Sequence, residues 1–207
     1  CAVEELDKIS KEYGIPVLYD AAHAFGERYH GRGVGSFGYA SMFSFHATKV
    51  FHSIEGGAVC IGEKKPELMH KLYALKNFGI MGQESVELVG CNGKMNEFSA
   101  AMGLCNLWHI EEYIKEREKR YRHYESLLKD VPGLVFPKGQ EGVEKNYAYL
   151  PVRILGEGRR NQIFSLLEKE GIHPRKYFYP LISDYDCYKG KFSGDGTPIA
   201  KKIAEEI

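Results

Sequence analysis

The sequence lacks several features that would assign it to a common functional class. No apolar run approaches the roughly 20 residues that span a bilayer, so no membrane helix is predicted. The 28 basic and 28 acidic side chains cancel, and no long-range field therefore favours nucleic acid or an anionic membrane. No CxxC pair occurs among the cysteines, which are Cys1, Cys60, Cys91, Cys105 and Cys187. This odd, scattered set favours the reducing cytoplasm over a disulfide scaffold or a zinc ribbon.

The first part of the chain has the pattern of an α/β protein. Val3, Leu6 and Ile9 recur at helical spacing, and Gly14 is a stop signal. The apolar run 15–19 follows and predicts a buried strand that ends at Asp20. A helix, a short turn and an apolar strand form half of a βαβ unit, so we expect a mostly parallel sheet with helices.

Further elements follow from the positions of apolar residues, glycines and prolines. We predict a loop over 26–39, strands over 41–45 and 57–61, a helix over 66–78 and a long loop over 79–93. Helix signals resume at Asn96, and one apolar stripe comprises Phe98, Met102, Cys105 and Trp108. A charged helix follows, with Tyr121, Tyr124 and Leu128 as its apolar contacts.

The remainder predicts a smaller α+β domain. We assign residues 1–115 to a large domain and residues 116–207 to this small one, with strands over 134–136 and 147–154 and a helix over 160–170. A last helix is expected after Thr197. The chain begins at Cys1 and stops inside that helix, so we expect a piece of a longer chain.

Polar residues at the ends of two predicted strands indicate one chemistry. Asp20 ends the first strand, while Ser44 and Lys49 follow the second, and ligands of open α/β sheets bind beyond the carboxyl ends of strands. Pyridoxal phosphate (PLP) needs a lysine that holds its aldehyde as an imine, and an acid that keeps its ring nitrogen protonated. It also needs hydroxyl or N–H groups around its phosphate. Lys49, Asp20 and Ser44 suit these three tasks, with the Lys49 amine as general acid and base.

The motifs around these residues resemble the DegT/DnrJ/EryC1/StrS family of sugar aminotransferases. The strings DAAHAFG at 20–26, SFHATK at 44–49 and EGGA at 55–58 match this family in order and spacing. Later segments are also similar, namely GCNGKMNE at 90–97 and YFYPL at 177–181. The resemblance covers nearly the whole chain. It implies the central and C-terminal parts of a PLP-dependent enzyme of fold type I.

The resemblance also implies a role for individual residues of the large domain. Asp20 would pair with the pyridine nitrogen, and Ala22 would pack on the ring face. His23 would lie beside the phenolic oxygen, Ser44 would bind the phosphate, and Lys49 would bind the cofactor covalently. His23 departs from the commoner Gln of the family, which leaves its contact open.

Residues further along the chain would complete a shared site. Asn92 would reach the phosphate of the neighbouring subunit's cofactor, which implies a homodimer, although Gly93 and Lys94 replace the frequent Tyr-Arg pair. Arg175 and Tyr179 would line the substrate site, while the aromatic residues 177–179 fit a packed core equally well. The family's first phosphate-binding turn would precede Cys1.

The reaction implied by the resemblance transfers an amino group, with glutamate as donor, to a nucleotide-linked keto-6-deoxy sugar. The family branch making dTDP-linked 3-amino or 4-amino sugars is the most similar, and such deoxyamino sugars enter the lipopolysaccharide O-antigen. Two alternatives stay open. Asp20, His23 and His46 are metal-ligand types and would suit a metal-dependent hydrolase. The chain could also be a non-catalytic fragment of such an enzyme.

Overall fold

The computed structural model of the chain describes residues 1–62, 65–188, 190–191 and 196–207. Within these residues the helices are α1 (Val3–Tyr13), α2 (Pro66–Lys76), α3 (Glu97–Leu107), α4 (Ile110–Leu128), α5 (Arg159–Lys169) and α6 (Pro198–Glu206). The strands are β1 (Leu18–Asp20), β2 (Arg28–Tyr29), β3 (Arg32–Gly33), β4 (Ala40–Ser44), β5 (Gly57–Ile61), β6 (Leu134–Val135), β7 (Val143–Glu144) and β8 (Arg153–Ile154). None of the described helices is long and apolar enough to cross a membrane.

Local signals explain where several helices begin and end. Gly14 adopts φ 63° and ends α1 in the left-handed conformation that glycine tolerates. Pro66 occupies the first turn of α2, where its missing N–H costs nothing. The Asn96 side chain caps α3 by accepting the Ser99 N–H at 2.9 Å. These three boundaries agree with the sequence prediction to within a residue or two.

The main sheet has the order β1-β4-β5, and it is mixed. β1 and β4 are parallel, with Asp20 opposite Met42, whereas β4 and β5 are antiparallel, with Ser44 opposite Gly57. The α/β class is confirmed. The expected burial of β1 is wrong, because Leu18 is 70% exposed. In the described sheet β1 pairs only with β4 and forms an edge.

The predicted loop 26–39 contains a hairpin that the glycine pattern concealed. β2 and β3 are antiparallel, and β7 adds to the other side of β2. The hairpin turn places His30 at φ 48° and Gly31 at φ 74°. Two successive positive φ values are the mark of a type I′ turn, whose twist matches that of the strands. The long loop 79–93 is confirmed, with only isolated bridges such as Asn77 with Asn92.

The chain divides into two compact units. The first unit comprises Cys1–Glu118 and Gln140–Ala148, and the second comprises Lys119–Gly139 and Tyr149–Ile207. The division therefore falls inside α4, and the segment Gln140–Ala148 returns to the first unit. Of the strand predicted over 147–154, only Arg153–Ile154 forms, and the residues before it have irregular backbone.

The second unit is held by a small sheet and two helices. β6 and β8 pair antiparallel, and Arg153 of β8 forms an ion pair with Glu206 of α6. The Arg160 side chain of α5 is buried and donates to the Ile207 carbonyl at 3.0 Å. A buried guanidinium needs such an acceptor, so this bond ties α5 to the C-terminal end of α6.

Candidate active site

Asp20 stands at the carboxyl end of β1. Its Oδ1 accepts the N–H of Ala22 at 3.0 Å, and the Ala21 N–H continues the parallel ladder by donating to the Met42 carbonyl at 2.9 Å. The Asp20 side chain is exposed, while Ala21 is buried beneath it. The hydrogen bond from the Ala22 N–H therefore orients the Asp20 carboxylate, and the exposed carboxylate is accessible to a ligand.

Ser44 ends β4 and leads into a closed loop over residues 45–56. The Phe45 N–H donates to the Gly56 carbonyl at 2.8 Å, and the Ser53 N–H donates to the Phe45 carbonyl at 2.9 Å. These bonds bring the two ends of the loop together. Ser44 Oγ accepts the His46 N–H at 3.4 Å, which leaves its hydroxyl proton to donate elsewhere.

Lys49 lies on this loop and points toward the residues that follow β1. Its Nζ is 3.1 Å from Nε2 of His23, and the pair is partly buried. An ammonium group donates to this nitrogen when the His23 ring is neutral with its proton on Nδ1. The structure therefore joins the predicted lysine to a residue 26 positions earlier, in the loop that Asp20 begins.

Aromatic packing holds these two loops together. The Phe25 ring stacks on Phe51 with centroids 4.3 Å apart, and Phe45 meets Phe51 edge-on at 4.8 Å. Phe51 and the neighbouring Val50 are buried. Such pairs add roughly 0.5–1.5 kcal/mol beyond the area that they bury. Phe25 follows His23 by two residues, and Phe51 follows Lys49 by two. The stacking of the two rings therefore restricts the backbone that carries His23 and Lys49.

His46 is engaged by residues of its own loop. Its Nδ1 lies 2.9 Å from Thr48 Oγ1, and its Nε2 lies 3.6 Å from Glu55. Across the described ranges of the chain, no three His, Cys, Asp or Glu side chains are placed to hold a metal ion together. Among the described residues, Asp20, His23 and His46 are therefore not grouped as a metal site, and His23 instead contacts Lys49.

Asn92 lies on the long loop after α2. Its side chain is exposed and accepts a hydrogen bond from Lys94 Nζ at 2.8 Å. Lys94 also sits over the Phe78 ring, 4.0 Å from the centroid. An exposed amide beside an ammonium suits an anionic ligand, and the role of Asn92 toward a neighbouring subunit stays a prediction.

Arg175 and Tyr179 lie in the second unit. The Arg175 guanidinium sits 5.2 Å from the Phe178 ring centroid, and Arg160 sits 4.5 Å from that of Tyr179. Burial raises the pKa of Tyr177, Tyr149 adds to the rise, and Arg175 opposes it. This cationic and aromatic cluster has the composition of a nucleotide or sugar platform, and its role stays a prediction.

Two features of the site were not found from the sequence. The stacked pair Phe25 and Phe51 had a usable signal, since each aromatic residue follows a predicted site residue by two positions. Asn146 had none. Its buried amide donates to the carbonyls of His23 and Phe25, 123 and 121 residues away along the chain. Neither spacing nor residue type at position 146 indicated that contact.

Comparisons with known proteins identify the family of the chain. The model of the DegT/DnrJ/EryC1/StrS aminotransferase family matches residues 1–207. A dTDP-4-amino-4,6-dideoxy-D-glucose transaminase of Escherichia coli is 40% identical, over 100% of the chain and 57% of its own length. A transaminase of the same description from Shigella dysenteriae is 36% identical, over 100% of the chain and 56% of its own length.

Solved structures resemble the chain over its whole length. The crystal structure of DesI in the presence of its TDP-sugar product superposes with a TM-score of 0.87 at 34% identity, covering 100% of the chain and 53% of DesI. The chain thus spans about half the length of the curated relatives and of the solved structure that it matches.

Proposed function

Because the chain belongs to the DegT/DnrJ/EryC1/StrS aminotransferase family, we propose that it is part of an enzyme that aminates a dTDP-linked keto-6-deoxy sugar with glutamate as donor. The resemblance and the expected fold type I are confirmed, and PLP is the cofactor of this family. The observation that carries the proposal is the contact of Lys49 Nζ with His23 Nε2 at 3.1 Å, in a loop next to the strand that ends at Asp20.

The residues present fit the cofactor chemically. A primary amine for the aldehyde is provided by Lys49, and a carboxylate for a protonated ring nitrogen is provided by Asp20. Ser44 Oγ already accepts one hydrogen bond from His46 N–H and has its proton to offer to a phosphate oxygen. Ala22 lies directly behind Asp20 and has a methyl group as its whole side chain, which suits contact with a flat ring.

When bound, PLP supplies an electron sink for a carbanion at the substrate carbon. Asp20 stabilises the proton on the pyridine nitrogen, because an anion beside that nitrogen favours its charged form. Lys49 would hold the cofactor through its amine, and this amine would move the proton to and from the substrate carbon. The His23 ring lies 3.1 Å from that amine and thereby helps to hold it in one position.

The substrate class rests on the relatives. The curated relatives at 40% and 36% identity are named for dTDP-4-amino-4,6-dideoxy-D-glucose. We propose the corresponding 4-keto sugar as acceptor, with Arg175 and Tyr179 lining its site.

We further propose that the large PLP domain ends near residue 115 and that the enzyme is a cytoplasmic homodimer. In this dimer Asn92 binds the phosphate of the partner subunit's cofactor.

The attachment site is tested by trapping. The chain is incubated with PLP, reduced with sodium borohydride and mapped by peptide mass spectrometry. We expect the pyridoxyl group on Lys49, no adduct at that peptide in Lys49→Arg, and an unchanged yield in Lys76→Arg, whose ammonium sits over Tyr73. An adduct spread evenly over exposed lysines, or undiminished in Lys49→Arg, would overturn the role of Lys49.

The reaction is tested by following both substrates. The full-length enzyme that contains this chain is loaded with PLP and receives L-glutamate and dTDP-4-keto-6-deoxy-D-glucose, and mass spectrometry follows 2-oxoglutarate and the amino sugar. Equal amounts of both products are expected. Asp20→Asn keeps an oxygen to accept the Ala22 N–H and should still be labelled on Lys49, while turnover falls on the order of 10²-fold or more. A full-length enzyme that is labelled on Lys49 but forms neither product, or full turnover by its Asp20→Asn variant, would contradict the proposal.

A further inference from the structure

Asn146 is one of the largest side chains of the described residues that are fully buried, at 1% exposure. Its side chain is fully satisfied. Nδ2 donates to the His23 carbonyl at 2.7 Å and to the Phe25 carbonyl at 3.0 Å, and Oδ1 accepts the Ala148 N–H at 3.0 Å. A buried amide that lost these partners would cost about 1–3 kcal/mol for each unsatisfied group, so the arrangement has one favoured geometry.

The two carbonyls belong to the loop between β1 and β2, which has few bonds of its own. The Ala24 N–H donates to Ala21 at 2.9 Å, and the Glu27 N–H donates to Ala24 at 3.0 Å. Beyond Ala21, no strand pairs with residues 22–27 in the described sheets. The Asn146 amide therefore takes the place of a neighbouring strand for the backbone on either side of Ala24.

The two residues that follow Asn146 are held by α4. Tyr147 donates its hydroxyl to Glu118 at 2.7 Å, and Arg117 donates to the Ala148 carbonyl at 3.5 Å. The backbone of Tyr147 has φ 54°, in the left-handed region. The Asn146 side chain points to the His23 loop while that of Tyr147 reaches the helix. These residues all belong to the first unit.

We propose that Asn146 is a positioning residue for Lys49, acting through His23. Its two donated hydrogen bonds fix the backbone of residues 23–25, and this fixes the imidazole that meets Lys49 Nζ at 3.1 Å. The inference rests on the proposed role of Lys49, but its test needs no cofactor. The order of contacts runs from α4 through Asn146 and His23 to the amine.

The experiment measures how fast Lys49 is acetylated by limiting acetic anhydride, with Lys76 as internal reference. Asn146→Ala removes all three side-chain bonds. Asn146→Asp keeps an acceptor for the Ala148 N–H but has no hydrogen to donate to either carbonyl. Both variants should speed Lys49 acetylation roughly 2- to 10-fold relative to Lys76, the ratio set by one hydrogen bond. Amide exchange of the peptide covering residues 21–26 should rise in parallel.

Gln140→Ala is the matched control. It removes an amide donor from the same segment, since Gln140 Nε2 donates to the Cys1 carbonyl at 3.0 Å. It leaves residues 20–26 untouched, and the acetylation ratio should equal that of the unaltered chain. His23→Ala should speed acetylation as much as Asn146→Asp does, and the double variant should show no further gain, because both act on one contact.

Several outcomes would overturn the inference. One is an unchanged acetylation ratio in Asn146→Asp with a changed ratio in Asn146→Ala, which would leave only the acceptor role at Ala148. Another is full additivity with His23→Ala. If both Asn146 variants fail to fold, Tyr147→Phe removes the hydroxyl that anchors the segment to Glu118 and should raise the ratio in the same direction. No change in that variant would also refute the positioning role.

Discussion

At the scale of single residues, the contact with Lys49 suggests what His23 does at a position where the family more often has Gln. His23 stands where a Gln is commoner, and its Nε2 reaches the Lys49 amine at 3.1 Å. An imidazole differs from an amide because its accepting nitrogen depends on the tautomer. The Asn146 bond to the His23 carbonyl holds the backbone that carries this ring.

Glu27 gives the pH prediction at this scale. Burial raises the pKa of its carboxyl group, and the Asn146 N–H, Lys145 and the N-terminal ammonium oppose the rise. The folded chain therefore binds this proton more tightly than the unfolded chain does. As pH rises from the ordinary value of 4.5 through the raised folded pKa, the contribution of Glu27 to stability falls.

Glu27→Gln should remove that loss, because a neutral amide keeps an oxygen for the Asn146 N–H without being ionised. The variant should be more stable than the unaltered chain at pH 7, and the difference should shrink toward pH 4. Urea midpoints measured from pH 4 to 7 for both chains give the difference. If it grew as pH fell, the sign assigned to Glu27 would be wrong.

At the scale of elements, glycines set how β1 and β4 meet. Gly38 precedes β4 at φ 68°, and a Cβ there would lie 2.7 Å from the Tyr19 ring and 2.8 Å from the Val17 carbonyl. Gly14 ends α1 at φ 63°, with nothing within 4 Å of such an atom. The two positions share a backbone conformation and differ only in the space around them.

Alanine at these two glycines should separate backbone strain from steric overlap. Gly14→Ala should cost about 1–2 kcal/mol, the penalty for a left-handed alanine. Gly38→Ala should cost a further 1–3 kcal/mol, approximately, because strand β1 must move to admit the methyl group. Free energies of unfolding in urea measure both. Equal losses of unfolding free energy in the two variants would show that β1 moves aside without a further cost in stability.

At the scale of the whole molecule, much apolar surface lies outside any core. Phe98 of α3 is 87% exposed, Trp108 is 79% exposed, and Leu18 of β1 is 70% exposed. The stripe predicted on α3 therefore exists as a pattern but does not pack against the described residues. On α4, Tyr121 is buried as predicted, whereas Tyr124 is 54% exposed. Exposed apolar area of this kind lowers solubility.

Phe98→Ser and Trp108→Ser should raise the solubility limit of the chain and change its free energy of unfolding by no more than about 0.5 kcal/mol. Phe51→Ser is the contrasting variant, because Phe51 is 6% exposed and its loss should cost roughly 3–5 kcal/mol. Light scattering against concentration and urea unfolding report the two quantities. A large loss of stability in Phe98→Ser would show that this face is packed.

The sequence by itself predicted the α/β class, several element boundaries and the family of the chain. Gly14, Pro66 and Asn96 act on their own neighbours, so the helix boundaries they set were predictable. Asp20 and Ser44 were placed at strand ends because apolar runs stop there. The family motifs then assigned Lys49 to the cofactor. All of these conclusions depend on residues close together in the chain.

The tertiary structure decided which side chains meet. The antiparallel direction of β5, the exposure of Leu18, the pairing of His23 with Lys49 and the insertion of Asn146 each depend on segments distant in sequence. The Asn146 bond to His23 spans 123 residues. No local preference encodes such a contact, because it forms only when the sheet, the aromatic stack and α4 bring the two segments together. The sequence therefore predicted Lys49 as the cofactor lysine, and the fold brought His23 and Asn146 into one chain of contacts with it.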